Sequence, residues 1–574
     1  MAENREIADK LSLIADYLEI QDENPFRIRA YRNAADAIMA HPESVGNLPE
    51  KRLTEIPGVG KDIAGKIREF CATGNISLLN DLQKTLPAEL LALKKVPGLG
   101  PKKVSLFYRE LGVDSFEKLK KAISDGSLLG LPGIKARTVE NILRGMEFLE
   151  RSRERIPLGE AHILAETLAR QIRESGLAES VEVAGSIRRM KETIGDIDIL
   201  TTSRDGKKLI GFFTSIPQVS EVIAAGETKG SVNIMGTVQA DIRVVPRESF
   251  GSALAYFTGS QAHNVKLRHL AKSKGLKLSE YGLFREKDNR LIASKSEEDI
   301  YRSLGMQFVP PEIREDAGEV EAAVARALPG LVARDMIKGE MHLHTDWSDG
   351  FHPLEEIARF LKEMGFAYFA VTDHSKSLRV AGGLDENQVL QQKEIIEKLN
   401  SKGMGIKIFS GVEVDILRDG TLDLNYSVLK ELDFVTGSIH SGLTQSREKA
   451  TERIVAAMET GVVDMVGHLT GRLFGERSGY EVDREKILEV AAKHNVVLEL
   501  NSYPKRLDID DRTCRMAKSR GVKVAITTDM HHFDDLDNLF FGVGVGRRGW
   551  LETENVINTW ETDRLADFLK KRRA

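Results

Sequence analysis

Cysteine is almost missing from this chain. Only Cys71 and Cys514 occur, far apart, which excludes a disulfide scaffold and a Cys-x-x-Cys zinc site. Long apolar runs are missing too: none approaches the ~18 residues a membrane span needs. The N-terminus, MAENREIADK, is charged from its start, so neither a signal peptide nor an anchor is expected. The chain is expected to act inside the cell, in the cytoplasm. What is plentiful is length and charge. With 574 residues, 41% of them hydrophobic and 29% charged, the sequence has the make-up of a globular chain of three or four domains. The net charge of −5 is unevenly spread. Residues 1–315 carry 47 Lys and Arg against 44 Asp and Glu, and the remainder 35 against 43. Nine of the thirteen histidines fall between His342 and His532. A mildly basic front half thus precedes an acidic, histidine-rich back half, which suggests different partners for each.

Residues 5–40 place Ile7, Leu11, Ile14 and Leu18, then Tyr31, Ala34 and Ile38, at helical spacing. A repeat follows. IPGVGKDIAGKIR (56–68), VPGLGPKKVSLFYR (96–109) and LPGIKARTVENILR (131–144) each give an apolar residue, Pro-Gly, a second turn position and a basic helix. Such a glycine turn brings backbone N–H groups to an anion at a helix N-terminus. For a threefold repeat that anion is expected to be a nucleic-acid phosphate, met without reading base sequence. The segments resemble the helix-hairpin-helix motifs of DNA repair proteins, with Gly58, Gly60, Gly98, Gly100 and Gly133 as the DNA-binding glycines. The third copy departs from the pattern, with Lys135 where the second glycine would stand. A bundle in which Pro-Gly merely restarts helices is the alternative.

Segment 181–200, VEVAGSIRRMKETIGDIDIL, reads as strand, Gly-Ser turn, two arginines and a second strand bearing Asp196 and Asp198. Residues two apart on a strand share a face. A further strand, VQADIRVV, sets Asp241 among apolar neighbours. Three crowded carboxylates repel one another, and two divalent cations with a taste for oxygen, Mg²⁺ or Mn²⁺, would relieve that. Such a pair suits in-line phosphoryl displacement. The Gly185-Ser186 turn with Arg188 and Arg189 would meet a polyphosphate. Solvated surface carboxylates are the alternative, and the flanks Ile194, Ile197, Ile199 and Leu200 argue against it.

GSIRR, TIGDID, ADIRVV and YFTGSQAHNVKLR resemble the nucleotidyltransferase core of family X DNA polymerases, the family of DNA polymerase beta, from about residue 5 to 315. The resemblance implies that Asp196, Asp198 and Asp241 hold the two catalytic metals, with Asp241 closest to the primer 3′-hydroxyl. It implies that Arg155, Gly185, Ser186, Arg189 and Gly195 hold a deoxynucleoside triphosphate. Tyr256, Phe257 and Gly259 would line the sugar site, and Asn264 and Arg268 would touch the nucleotide or template edge. Gln261 stands where some members carry an acidic residue. Lys66 matches the position of the family's deoxyribose-phosphate lyase nucleophile. A Schiff-base lysine needs a lowered pKa, and Asp62 replaces a neighbouring family lysine and acts the other way, so a phosphate contact is the alternative role.

Beyond an acidic helical connector the pattern becomes strand–helix alternation. Strand-like runs end in GEMHLH, YFAVTDH, IFSGVEVD, FVTGSIH, DMVGHL, VVLELN and VAITTDMH, with helical stretches at 354–364, 386–402, 446–460 and 483–494. Seven βα units argue for a parallel barrel, whose strand ends meet at one mouth. His342, His344, His374, Glu413, His440, His468, Asp529 and His531 sit at those ends, and Asp349 lies in the loop TDWSDG. A mixed N/O set of this kind suits Zn²⁺, Mn²⁺ or Fe, with a carboxylate as the natural bridge. His352, His494 and His532 read as surface or supporting residues, and Glu499 and Asn501 as rim or supporting residues.

This block resembles the PHP (polymerase and histidinol phosphatase) domain over nearly all of 338–574. The resemblance implies a trinuclear cluster of transition metals and hydrolysis of phosphate esters. Fused to such a polymerase, it implies 3′→5′ exonuclease and 3′-end processing, in some members with cleavage at abasic sites. The expected fold is multidomain α/β: a helix-hairpin-helix lyase-like domain (1–85), a second helix-hairpin-helix domain (86–150), a nucleotidyltransferase palm with a small mixed sheet (151–250), a thumb (251–315), a linker (316–337) and a distorted (β/α)₇ barrel (338–574). The expected partners are gapped or nicked DNA with a 5′-phosphate and deoxynucleoside triphosphates. No membrane partner is expected, and a monomer is expected, nucleoid-associated when on DNA. Two other classes remain open: a phosphoesterase whose front half only binds DNA, and a non-enzymatic end-joining scaffold.

Overall fold

A computed structural model describes residues 4–573 apart from 22, 40, 42–44, 88, 95, 97–98, 141, 144–145 and 147–154. Two compact units divide the chain, Met1–Ser152 and Arg153–Ala574.

The first unit is helical. Ile7, Leu11, Ile14 and Leu18 of the helix Asn4–Ile20 and Tyr31, Ala34 and Ile38 of the helix Pro25–Met39 are buried in one core, which is the sequence periodicity realised as packing. The second helix opens with proline, and the Asn24 side chain accepts the Phe26 N–H at 2.9 Å, a favoured start. Short helices then pair with longer ones, Glu50–Leu53 with Lys61–Thr73 and Glu89–Lys94 with Pro101–Leu111. Gly58 has φ +82°, and a Cβ there would lie 3.2 Å from Asn33 Cβ, so this turn position admits only glycine. Gly60 and Gly100 immediately precede the helices Lys61–Thr73 and Pro101–Leu111, with open space on their Cα side. Gly133 takes the same left-handed turn as Gly58, at φ +77°. Gly98 lies outside the described residues.

In the second unit a five-stranded mixed sheet runs in the order Ser180–Val183, Asp196–Thr202, Val238–Val244, Lys229–Ile234, Val219–Ala225. Its central pair, Asp196–Thr202 with Val238–Val244, is parallel and the other pairs are antiparallel. The helix Leu158–Glu174 packs on the sheet through Ala161, Ala165 and Leu168. Helices Phe250–Thr258 and Gln261–Ser273 follow, with a three-stranded antiparallel sheet, Leu276–Ser279, Gly282–Arg285 and Leu291–Ala293. The stretch expected as a linker belongs to this fold. Val320, Ala323 and Leu331 share a core with Leu267, Ile300 and Leu304, and Glu319 meets His263 Nδ1 at 2.6 Å with both side chains fully buried.

From Gly339 onward eight short strands run in two parallel sheets of three and five. The expected run IFSGVEVD is divided at Ser410 into Lys407–Phe409 in one sheet and Gly411–Asp415 in the other. Single parallel bridges, Leu343 to Met530 and His374 to Glu413, join the sheets at both seams. The strand–helix alternation is therefore present as two parallel sheets, linked by single bridges rather than by a continuous ladder. Palm and barrel share a core: Met190 and Ile194 cluster with Val543 and Val545 of the helix Leu539–Arg548. Contact is close enough that a Cβ on Gly544 would lie 2.3 Å from Met190 Cε. Among the described residues no helix is long and apolar enough to cross a membrane.

Arg188 departs from the sequence reading. Its guanidinium donates to Glu297 Oε1 and Oε2 at 3.0 and 2.6 Å and to Thr258 Oγ1 at 2.6 Å, so it ties palm to thumb and does not face a polyphosphate. The buried Arg314 donates to the same Glu297 at 2.6 Å. Removing one partner of such a buried pair leaves uncompensated charge and costs about 3–5 kcal/mol. Glu297→Gln should therefore lower the urea midpoint of this unit without changing the m-value, as read by circular dichroism.

Candidate active sites

The strand Asp196–Thr202 alternates, so Asp196 and Asp198 reach the open face while Ile197 and Ile199 are buried. In the parallel register Asp198 lies beside Asp241. Lys229 Nζ approaches Asp241 Oδ2 at 3.1 Å and Gln239 donates to Oδ1 at 2.9 Å. Burial, then the charges of Asp196 and Asp241, push the Asp198 carboxyl up to about 7. A buried carboxyl pushed up by the charges of two neighbours is a fit for divalent cations. Gly185 makes the cluster possible: at φ +61° it sits so close that a Cβ would fall 2.2 Å from Asp198 Oδ2.

A cleft of about 940 Å³ opens from Asp196 and Asp198, with Asp241 beside Asp198 in the sheet. It gathers Arg155, Gly185, Ser186, Arg189, Asp196, Asp198, Tyr256, Phe257, Gly259, Gln261, Asn264 and Arg268. Arg155 is anchored on Thr193, its Nε donating to Oγ1 at 3.0 Å, and its guanidinium lies 3.1 Å from where a Gly195 Cβ would stand. Asn264 Nδ2 donates to the Tyr256 carbonyl at 2.7 Å. Arg189 Nη1 donates to the Thr258 carbonyl at 2.6 Å and its Nε to Glu315 at 3.0 Å. Sequence reasoning missed the far wall. Asp510, Asp511, Arg512 and Arg548, all from the barrel, line the same cleft, and no motif links residues three hundred positions apart.

At the barrel mouth Glu413 is the hub. It lies 2.7 Å from His374 Nδ1, 3.0 Å from His468 Nε2, 3.4 Å from His342 Nε2 and 3.5 Å from His440 Nε2. Burial alone would raise its pKa, yet His440, His374 and His342 hold it well below the carboxylate range. His440 is in turn pushed up to about 10, burial being outweighed by Glu413 and Asp415. His344, buried beside His531 and His374, falls to about 3.

Three groups converge tightly enough to share an ion: His344, Asp349, His374 and His531; His342, His344 and Asp529; His374, Glu413 and His440. His468 stands outside those groups, against Glu413. His342 Nε2, His344 Nδ1 and Glu413 Oε2 are buried without a hydrogen-bond partner. His374 Nδ1 and Glu413 Oε2 face one another without alignment for a hydrogen bond. Lone pairs aimed at common points in this way fit metal ions.

Supporting residues orient these donors. Glu499, a rim or supporting residue from sequence, is fully buried, 2.6 Å from His342 Nδ1, and accepts from Thr527 Oγ1 at 2.6 Å. Asn501 Nδ2 donates to Asp529 at 3.1 Å. Asp373 and Asp415 escaped the sequence reading. Asp373 accepts from Thr345 Oγ1 and Gln392 Nε2 at 2.6 Å each and fixes the loop that carries His344 and Asp349. Asp415 lies 2.8 Å from His440 Nδ1. Both carboxylates were visible in TDH and VEVD, adjacent to or two from a ligand. His352 stacks on Phe533 at 3.6 Å, and His532 opens the turn Phe533–Asn538, away from the donor cluster.

The His342→Ala, His344→Ala double variant should lose bound transition metal by elemental analysis of purified protein, relative to the unchanged chain. Equal metal content would contradict the donor assignment.

Family models match the chain in sequence order: helix-hairpin-helix domain (2–76), SAM-like helix-hairpin-helix tandem (90–146), DNA polymerase beta palm (155–232), DNA polymerase beta thumb (253–315) and PHP domain (340–503). The DNA polymerase/3′-5′ exonuclease PolX of Bacillus subtilis (strain 168) is 37% identical over 569 residues, covering 99% of both chains. DNA polymerase lambda of Rattus norvegicus is 26% identical over 340 residues, 54% of this chain and 56% of that protein. A probable phosphatase of Thermoanaerobacter sp. (strain X514) is 28% identical over 245 residues, 41% of this chain and 95% of its own length. With its carboxylate cluster on a polymerase palm, its histidine-ringed barrel and end-to-end likeness to PolX, the chain belongs to the family X DNA polymerases that carry a C-terminal PHP domain.

Proposed function

We propose that this chain fills short gaps in DNA during base excision repair and trims 3′ ends with its barrel. The observation that carries the polymerase reading is the packing of Gly185 against Asp198, beside Asp196 and Asp241, at the floor of a cleft lined by Arg155, Ser186 and Arg189. Asp196, Asp198 and Asp241 would hold two Mg²⁺ or Mn²⁺ ions, and the barrel donors, His468 among them, three ions drawn from Mn²⁺, Zn²⁺ and Fe. When bound, such cations supply charge neutralisation at the phosphate and activation of the attacking oxygen. Asp241, steadied by Lys229 and Gln239, faces the primer 3′-hydroxyl. Arg155, Ser186 and Arg189 orient the triphosphate, with Gly195 leaving room for Arg155. Tyr256, Phe257 and Gly259 bound the sugar, and Asn264 and Arg268 reach the nucleotide or template edge. Gly58, Gly60, Gly98, Gly100 and Gly133 serve to grip backbone phosphates of gapped or nicked DNA, with helix-hairpin-helix domains at 1–85 and 86–150, palm at 151–250, thumb from 251 through the packed stretch 316–337, and barrel at 338–574. The chain works as a cytoplasmic monomer on the nucleoid.

On a 5′-phosphorylated gapped duplex, Asp196→Ala with Asp198→Ala should abolish nucleotide addition while 3′-end degradation persists, and His342→Ala with His344→Ala should do the reverse. Extension by the aspartate variant would remove the assignment.

Lys66 reads as a phosphate contact. Its ammonium pairs with Asp62 and donates there. Burial would lower its pKa, but the Asp62 hydrogen bond and the Tyr31 hydroxyl leave it raised, the opposite of what a Schiff-base nucleophile needs. Borohydride treatment with a 5′-deoxyribose-phosphate end should give no covalent adduct at neutral pH. An adduct lost in Lys66→Ala would restore the lyase role.

A further inference from the structure

Arg548 ends the helix Leu539–Arg548 of the barrel, yet its side chain, 2% exposed, reaches into the polymerase half. Its Nη1 donates to the Arg189 carbonyl at 2.7 Å, the Glu312 carbonyl at 3.2 Å and Glu315 Oε1 at 3.1 Å. Its Nε and Nη2 hold Asp511 Oδ2 at 2.9 and 2.6 Å. Glu315 Oε1 is the same oxygen that receives Arg189 Nε, and Lys191 Nζ stands 3.5 Å from Oε2. Arg189 is thus gripped twice from the barrel side, at its backbone by Arg548 and at its guanidinium by the Glu315 that Arg548 fixes. The remaining face of Arg189, with Ser186 and Arg155, opens on the nucleotide cleft.

We propose that Arg548 is a positioning residue of nucleotide addition: the barrel, through Arg548 and Glu315, sets the orientation in which Arg189 meets the triphosphate of the incoming nucleotide. This rests on the reading of the cleft as the nucleotide site. A planar fork with donors in three directions is needed, because one side chain serves two carboxylates and two carbonyls at once. Lysine, a single point charge, cannot reproduce that pattern. Without the fork, Arg189 keeps only its bond to the Thr258 carbonyl and its own pairing with a loosened Glu315.

The test is steady-state single-nucleotide gap filling by the full chain, with Arg548→Lys, Arg548→Met, Arg189→Lys and the double variants. Arg548→Met should raise the KM for the nucleotide about tenfold with kcat changed much less, since what weakens is ground-state orientation of a phosphate contact. Arg548→Lys should recover little of it. In the Arg189→Lys background either change at 548 should add almost nothing, because coupled residues do not contribute independently. Barrel 3′-end degradation and the unfolding midpoint of Arg548→Lys report that the fold is kept. Should Arg548→Met not fold, Arg548→Lys carries the comparison. An unchanged KM, or fold-changes at 548 and 189 that multiply, would overturn the proposal. No extension by the unchanged chain would instead overturn the polymerase reading beneath it.

Discussion

Ionisable groups crowded at short range are the constraint around which both sites are built. In the palm, three carboxylates share one end of a parallel strand pair, and Asp198 takes on the cost as a pKa near neutrality. In the barrel, one carboxylate, Glu413, is surrounded by imidazoles driven opposite ways, His440 up by Glu413 and Asp415 and His344 down by burial and its imidazole neighbours. Neither arrangement is what stability would select, because a solvated or apolar set of side chains would fold at lower cost. Each becomes reasonable once cations occupy the points at which the donors aim. The surrounding structure then has one task, to keep those groups from relaxing apart.

The means differ. A sheet fixes the palm cluster: register sets Asp198 beside Asp241, alternation sets Asp196 on the same face, and the bare Cα of Gly185 lets the neighbouring turn close down on them. Among the barrel donors only the hub Glu413 stands within a strand ladder; the histidines lie just beyond strand ends, so buried polar residues hold the ring. Glu499 steadies His342, Asp415 steadies His440, and Asp373 ties down the loop bearing His344 and Asp349.

Much of this was legible in the sequence because the signals are local. Pro-Gly repeats, the spacing of Asp196 and Asp198, and runs ending in histidine each report a short element whose geometry follows from two or ten residues. Arg188 was misread because its partner, Glu297, lies more than a hundred positions away and a second arginine stands next to it with the opposite task. The stretch 316–337 looked like a tether because its acidic composition hides Glu319, which is buried against His263. The barrel wall of the nucleotide cleft was invisible for the same reason: Asp511 and Arg548 carry no motif, and only tertiary packing brings them to Arg189. Supporting carboxylates such as Asp373 sat within the quoted motifs, but nothing in spacing separates a residue that binds from one that holds the binder.

The continuous apolar core between palm and barrel, with Gly544 pressed on Met190, has a consequence for traffic between synthesis and trimming. Two catalytic mouths mounted on one solid block cannot be swung toward each other. A strand end passing from synthesis to trimming on one molecule must itself travel between them.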